Sequence, residues 1–155
     1  MGLGRIDLSD LCQAFIVDIL PAGSTIVELG SGYGTKRLTK HYTVYSVEQN
    51  KSWVGFCDKS NYIHAPIIDG WYDPGILKEQ LPGEYDMLII DGPGSVGRSY
   101  FMRHIELFPN LNNIPIIVDD ANRNEERILL NELSNYLGKE YSLIENDPGT
   151  AYFMP

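Results

Sequence analysis

The run Thr25-Ile26-Val27-Glu28-Leu29-Gly30-Ser31-Gly32-Tyr33-Gly34-Thr35 constrains this chain more than any other stretch. A short β-branched, apolar segment passes directly into alternating glycines, and a polar, helix-compatible segment follows. Glycines let the backbone turn sharply and bring the main chain within reach of a ligand. A helix that begins straight afterwards offers N–H groups with no partner inside the helix. Strand, glycine turn and helix in that order open an α/β sheet.

The rest of the sequence alternates accordingly. Strands are expected at Thr25–Leu29, Thr43–Val47, Tyr62–Ile68, Tyr85–Ile90 and Ile114–Val118. Helices are expected at Leu8–Leu20, Thr35–Tyr42, Lys51–Cys57, Ser95–Phe108 and Asn124–Leu137, with a helical turn at Ile76–Leu81. Asp7 can cap the first helix, and Asn122 and Glu125 are spaced like a capping box for the last. The fourth strand is apolar throughout after Asp86, as a strand covered on both faces should be. Near the end, Tyr141–Ile144 and Ala151–Met154 flank Asp147-Pro148-Gly149, a hairpin signal that makes the last pair antiparallel. The reading is one α/β domain over residues 1–155, with an N-terminal helix in 1–20 and a Rossmann-like core in 21–155.

The second strand ends at Glu48, about twenty residues past the glycine loop. A carboxylate there can accept hydrogen bonds from the vicinal hydroxyls of a ribose. Loop and Glu48 together predict an adenosine-type ligand across the carboxyl ends of the strands. The glycines are spaced G-x-G-x-G rather than G-x-G-x-x-G, and Glu28 stands two positions before the first. A carboxylate there is badly placed for a pyrophosphate and suits a ligand with positive charge, such as an ammonium or a sulfonium.

On these residues the sequence resembles the class I S-adenosylmethionine-dependent methyltransferases: E-x-G-x-G-x-G, an acidic end to strand two, then Asp69 after strand three. The resemblance runs from Pro21 to Pro155. It implies strand order 3-2-1-4-5-7-6 with strand seven antiparallel, in a three-layer sandwich with helices on both faces. It implies that Glu28, Gly30, Ser31, Gly32, Tyr33 and Gly34 surround the methionine part of the cofactor. Glu48 and Gln49 would then hold the ribose, and the segment Ala65–Asp69, with Ile68 and Asp69, would lie near the adenine.

Two acidic clusters follow strands four and five, where an open α/β sheet places its site: Asp91-Gly92-Pro93-Gly94 and Asp119-Asp120-Ala121-Asn122-Arg123. Neighbouring carboxylates repel unless something positive joins them. One solution is a divalent cation such as Mg2+ or Mn2+ on Asp91, Asp119 and Asp120, which would activate a substrate hydroxyl; this resembles the metal-dependent catechol-type O-methyltransferases. The other is a general base, Asp91 or Asp119, with Arg98 or Arg123 offsetting the charge or binding an acidic substrate. The D-G-P-G…R and D-D-A-x-R segments also look like methyltransferases of sugars and polysaccharides. Catalytic candidates are therefore Asp91, Asp119, Asp120 and Arg123, with Asp91 also beside the cofactor. Trp71 and Tyr72 read equally as a ring-stacking surface or as a lid over the core.

Composition sets the remaining bounds. A net charge of −9 opposes approach to a phosphate backbone, so a nucleic-acid substrate is not expected. No apolar run nears the ~20 residues of a membrane span, and Met1–Ile6 does not read as an export signal. With Cys12 and Cys57 read as buried thiols, a cytoplasmic location is the expectation. The expected activity is O-methylation of a small-molecule or glycan hydroxyl, in a rather open pocket: either the substrate is large, or a second copy of the chain or the loop Gly70–Gly75 closes it. The alternatives are a non-catalytic adenosylmethionine-binding module and an NAD-dependent oxidoreductase; glycine spacing and the terminal hairpin speak against the latter.

Overall fold

The structure is a computed structural model that describes residues 8–94 and 97–155. Its elements are α1 (Asp10–Ile19), β1 (Thr25–Leu29), α2 (Tyr33–Leu38), β2 (Thr43–Glu48), β3 (Asn61–His64), β4 (Ile67–Ile68), β5 (Trp71–Tyr72), α3 (Pro74–Gln80), β6 (Met87–Ile90), a 3-10 segment (Arg98–Leu107), a 3-10 turn (Leu111–Asn113), β7 (Ile116–Asp119), α4 (Asn124–Leu137), β8 (Ser142–Ile144) and β9 (Asp147–Phe153). The main sheet has seven strands in the order β3-β2-β1-β6-β7-β9-β8. β1, β2, β3, β6 and β7 run parallel, and β9 is antiparallel to both β7 and β8. This is the order that the resemblance implied, with the single reversal that the terminal hairpin signal predicted.

Alternation along the strands divides two cores. Val27, Leu29, Leu88, Ile90, Ile116 and Val118 face α3, α4 and the aromatic side chains Trp71, Phe101 and Phe108. Ile26, Val44, Met87, Ile89 and Ile117 face the other way, against Cys12, Ile16 and Leu20 of α1 and its flank and Leu38 of α2. Side chains of a strand point alternately to opposite faces, so each parallel strand serves both layers. Both cysteines are buried and free. Among the described residues no helix is long and apolar enough to cross a membrane.

Local expectations fail in several places, each for a physical reason. Lys51–Cys57 is a series of turns rather than a helix. Asn50 Oδ1 accepts from the Ser52 backbone N–H and hydroxyl, an Asx turn, and Gly55 takes φ +82°; both compete with helix. The third strand stops at His64, and Pro66 has no N–H to extend it. Ile67–Ile68 then pairs back on Trp71–Tyr72 through Asp69 (φ 52°) and Gly70 (φ 85°), a two-residue hairpin loop of the left-handed kind.

The expected helix Ser95–Phe108 begins on two residues, 95 and 96, outside the described ones, and its described part is 3-10 with a kink at His104. Side chains three apart eclipse in that geometry, which aligns Arg98, Phe101 and His104. The His104 ring stacks on Trp71 at 4.9 Å, and Phe101 meets the same indole. Trp71 and Tyr72 are wholly buried, so they belong to the core.

The first helix is capped by Ser9, whose side chain accepts from the Cys12 N–H; Asp7 lies outside the described residues. The box expected at α4 is absent: Arg123 holds the N-cap position without a side-chain bond, and Glu125 accepts from Ser99 Oγ instead. The terminal hairpin turns at Glu145-Asn146, with Asn146 at φ 61°. Asp147-Pro148-Gly149 lies inside β9, next to a shift in register between Leu143 and Ile144.

Candidate functional site

β1 and β6 are adjacent, so the turns leaving their carboxyl ends touch. Gly30 takes φ +96°, and a Cβ there would stand 2.8 Å from the Asp91 carbonyl oxygen. A Cβ on Gly92 would meet the Tyr72 hydroxyl at 2.2 Å. These two glycines let the two loops close on each other from opposite sides of one cleft. The cleft holds about 250 Å³ and is lined by Gly30, Ser31, Glu48, Gln49, Asp91, Asp120 and Arg123, together with Asn50, Trp53, Gly92, Gly94 and Arg98. A larger depression of about 540 Å³ lies at the opposite edge of the sheet around Thr25, Tyr85 and Asp86. In an open α/β sheet ligands bind at the carboxyl ends of the strands, so size does not make that depression the site.

Glu48 is fixed from both sides. The Ser31 N–H donates to its Oε1 at 3.3 Å, and the Asn50 N–H donates to its Oε2 at 2.6 Å. Each carboxylate oxygen keeps a further lone pair. Ser31 Oγ is in turn 2.8 Å from the Tyr62 hydroxyl and 3.1 Å from Thr35 Oγ1. Glycine turn and Glu48 thus form one hydrogen-bonded unit in the cleft wall, with carboxylate lone pairs of the kind that vicinal ribose hydroxyls need.

Glu28 sits below that unit. Thr35 Oγ1 and Ser46 Oγ donate to its Oε1 at 2.5 and 2.6 Å. Burial pushes its carboxyl up to about 7, against the pull of those two bonds. Gly32 and Gly34 are buried at the start of α2, while Tyr33 is 52% exposed and packs edge-on against Trp53 and Phe56. Ile68 and Asp69 are exposed in the β4–β5 hairpin, outside the cleft lining.

The second cluster gathers as the topology requires. One carboxylate oxygen from each of Asp91, Asp119 and Asp120 comes within 4.8 Å of the others. Burial first, and then the Asp119 charge, push the Asp91 carboxyl well above the usual carboxylate range. Burial also raises Asp119, which accepts a hydrogen bond from Asp91. Of the two, Asp91 therefore keeps a proton the more readily and Asp119 is the hydrogen-bond acceptor. Asp120 takes φ 57°, which turns its carboxylate to Arg98 Nη1 at 2.9 Å and to Arg123 Nη1 at 3.3 Å. Arg123 is exposed at the mouth, whereas Arg98 is 5% exposed and lies behind the carboxylates.

Oxygen donors at this spacing suit a hard dication. However, the positive charge that joins them is already there, because the Arg98 guanidinium lies 2.9 Å from Asp120 and 3.5 Å from Asp91. A dication bound to the same oxygens would face that guanidinium at close range. The residues present do not fit an added divalent ion.

Sequence reasoning missed Trp53 and the burial of Arg98. Trp53 was assigned to a helix that does not form. Arg98 turns inward because its segment repeats every three residues, a geometry that no helical periodicity of 3.6 indicates.

No protein-family model matches the sequence, and no curated protein matches it. Solved structures do. MycE methyltransferase of the mycinamycin biosynthetic pathway, in complex with Mg, SAH and mycinamycin VI, superposes with a TM-score of 0.61 at 14% identity, over 92% of this chain and 48% of its own. The structure described as precorrin 8W decarboxylase of Methanobacterium thermoautotrophicum gives 0.60 at 16%, over 94% and 89%. Magnesium protoporphyrin IX methyltransferase (ChlM) of Synechocystis, with bound SAM, gives 0.57 at 16%, over 92% and 74%. The chain spans about half the length of MycE. Strand order, the reversed β9 and these likenesses agree: the chain has the fold of the class I S-adenosylmethionine-dependent methyltransferases.

Proposed function

We propose that the protein is an S-adenosylmethionine-dependent methyltransferase that methylates a hydroxyl oxygen of a small molecule or a sugar. The observation that carries this reading is the Glu48 carboxylate, held by the Ser31 and Asn50 N–H groups at one side of a cleft whose other side is Asp91 and Asp120. A ribose-binding acid and proton-accepting carboxylates face one space.

Bound S-adenosylmethionine supplies an electrophilic methyl group, which passes to the acceptor oxygen as the sulfonium becomes a thioether. The chain's part is positioning and proton removal. Glu48 accepts hydrogen bonds from the ribose hydroxyls, and the Gly30–Gly34 turn gives the methionine part room against the backbone. Asp91 lines the cleft and, as it takes the acceptor's proton, passes the proton it already holds to Asp119 behind it. Arg123 stands exposed at the mouth, where it meets an acidic group on the acceptor.

The test is calorimetric titration of the purified protein with S-adenosylmethionine and, separately, with NAD. The methyl donor should bind. Glu48→Ala should weaken it by ~10- to 150-fold, the range of 1.5–3 kcal/mol for a lost charged hydrogen-bond acceptor. Binding of NAD alone, or of neither ligand, overturns the reading.

A further inference from the structure

Among the described residues, one buried cation stands beside the carboxylates of the cleft. Arg98 stands at the start of the 3-10 segment with 5% of its surface exposed. Its Nε donates to the Pro93 carbonyl at 3.3 Å, and Nη2 donates to the Asp91 carbonyl at 2.8 Å. Nη1 donates to the Asp119 carbonyl at 3.2 Å and to Asp120 Oδ2 at 2.9 Å. The same guanidinium lies 3.5 Å from Asp91 Oδ1 and 3.6 Å from Glu126 Oε1. All three of its nitrogens are engaged, and they reach both loops that leave β6 and β7.

A rigid fork of donors can join two loops in this way; an ammonium, as a single point of charge, cannot. The pattern is also that of a cation site. Backbone carbonyls of two neighbouring strand ends and carboxylates from both loops converge on one positive centre. Glu126 belongs to α4 and is 4% exposed, so the centre ties the helix in as well. A cluster of four acidic side chains, Glu126 buried and Asp91, Asp119 and Asp120 half-buried, needs charge compensation, and one fixed guanidinium touches three of them.

We propose that Arg98 is the resident cation of the acceptor site: it clamps the carboxyl ends of β6 and β7, fixes Asp91 and Asp120 beside the cleft, and takes the place a divalent ion would hold. It is a positioning residue, acting through those carboxylates. What the carboxylates act on rests on the methyltransferase reading; the clamp itself does not.

The test uses Mn2+ as the probe, with its paramagnetic resonance signal reporting the free ion, and the full chain. Wild-type protein should leave micromolar to millimolar Mn2+ free. Arg98→Gln, which keeps hydrogen-bonding capacity and removes the charge, should take up one equivalent, and adding Asp119→Asn should abolish that uptake. Arg98→Lys, which restores a cation, should again leave Mn2+ free. Stoichiometric Mn2+ on the wild-type chain, lost in Asp119→Asn, would overturn the proposal, and that arm decides even if Arg98→Gln fails to fold. A folded Arg98→Gln that takes up no Mn2+ would also overturn it. Calorimetry with S-adenosylmethionine on the same samples separates the two readings: no binding to the wild type sinks the methyltransferase assignment and leaves the Mn2+ result standing.

Discussion

A carboxyl group enclosed beneath a glycine turn takes its charge state from its surroundings. Glu28 is 4% exposed, its two recorded partners are hydroxyls, and burial holds its carboxyl at about 7. In the unfolded chain it returns to about 4.5. Below the lower value both states carry the proton. Between the two the native state keeps it and the unfolded state has lost it, so stability falls as pH rises through this window. The size is on the order of 3 kcal/mol, from about 1.4 kcal/mol per pKa unit. Glu28→Gln keeps an acceptor for Thr35 and Ser46 but cannot ionise. Urea unfolding at pH 5 and pH 8 should show the variant close to wild type at the lower pH and more stable by ~2–3 kcal/mol at the higher. Parallel pH profiles would show that Glu28 does not titrate in this range. The position of Glu28 two residues before Gly30 was legible in the sequence; its seal of hydroxyls was not, because Thr35 and Ser46 come from α2 and β2.

At the scale of elements, legibility followed the range of the interactions. Alternating apolar strands were read correctly because their pattern needs only a local period and two covered faces. Elements decided by distant partners were not. The 3-10 segment exists where the Trp71 indole receives both Phe101 and His104, and nothing within residues 98–107 announces Trp71. The β4–β5 hairpin is a different case: Asp69-Gly70 is a turn signal for a two-residue loop, present in the sequence and absorbed into a longer strand. α1 shows how an element end can be tied to the far end of the chain. Ser9 accepts from the Cys12 N–H and donates to Asp147 of β9, and Thr150 Oγ1 donates to the same carboxylate at 2.9 Å. Ser9→Ala should lose ~0.5–2 kcal/mol, the range for an N-cap. Ser9→Asn should recover the cap, whereas Ser9→Asp should recover less, because it sets a second carboxylate against Asp147. Denaturation midpoints of the three variants check this; a Ser9→Ala midpoint equal to wild type would mean that the cap contributes nothing.

The whole molecule is a sheet between two unequal covers. One face carries α3, α4 and a cluster of aromatic rings; among the described residues the other carries α1 and α2. The cleft lies at the carboxyl edge that both layers share, with the glycine turn leading into α2 on one side and Arg98 tied to α4 on the other. If the sheet is stiff enough to separate the two cores, changes in them should not feel each other. Ile16 belongs to the α1 core and Ile116 to the α4 core, and both are fully buried. Each Ile→Val change removes one methylene and should cost ~0.5–1.5 kcal/mol. Sites far apart without shared partners add to within about 0.5 kcal/mol, so Ile16→Val with Ile116→Val should sum. Ile117 faces the same core as Ile16, and there the vacated volumes can merge, so Ile16→Val with Ile117→Val should depart from the sum. Urea unfolding of the three single and two double variants gives both coupling energies. A large coupling across the sheet, equal to that within one core, would mean that strain passes between the layers through the strands.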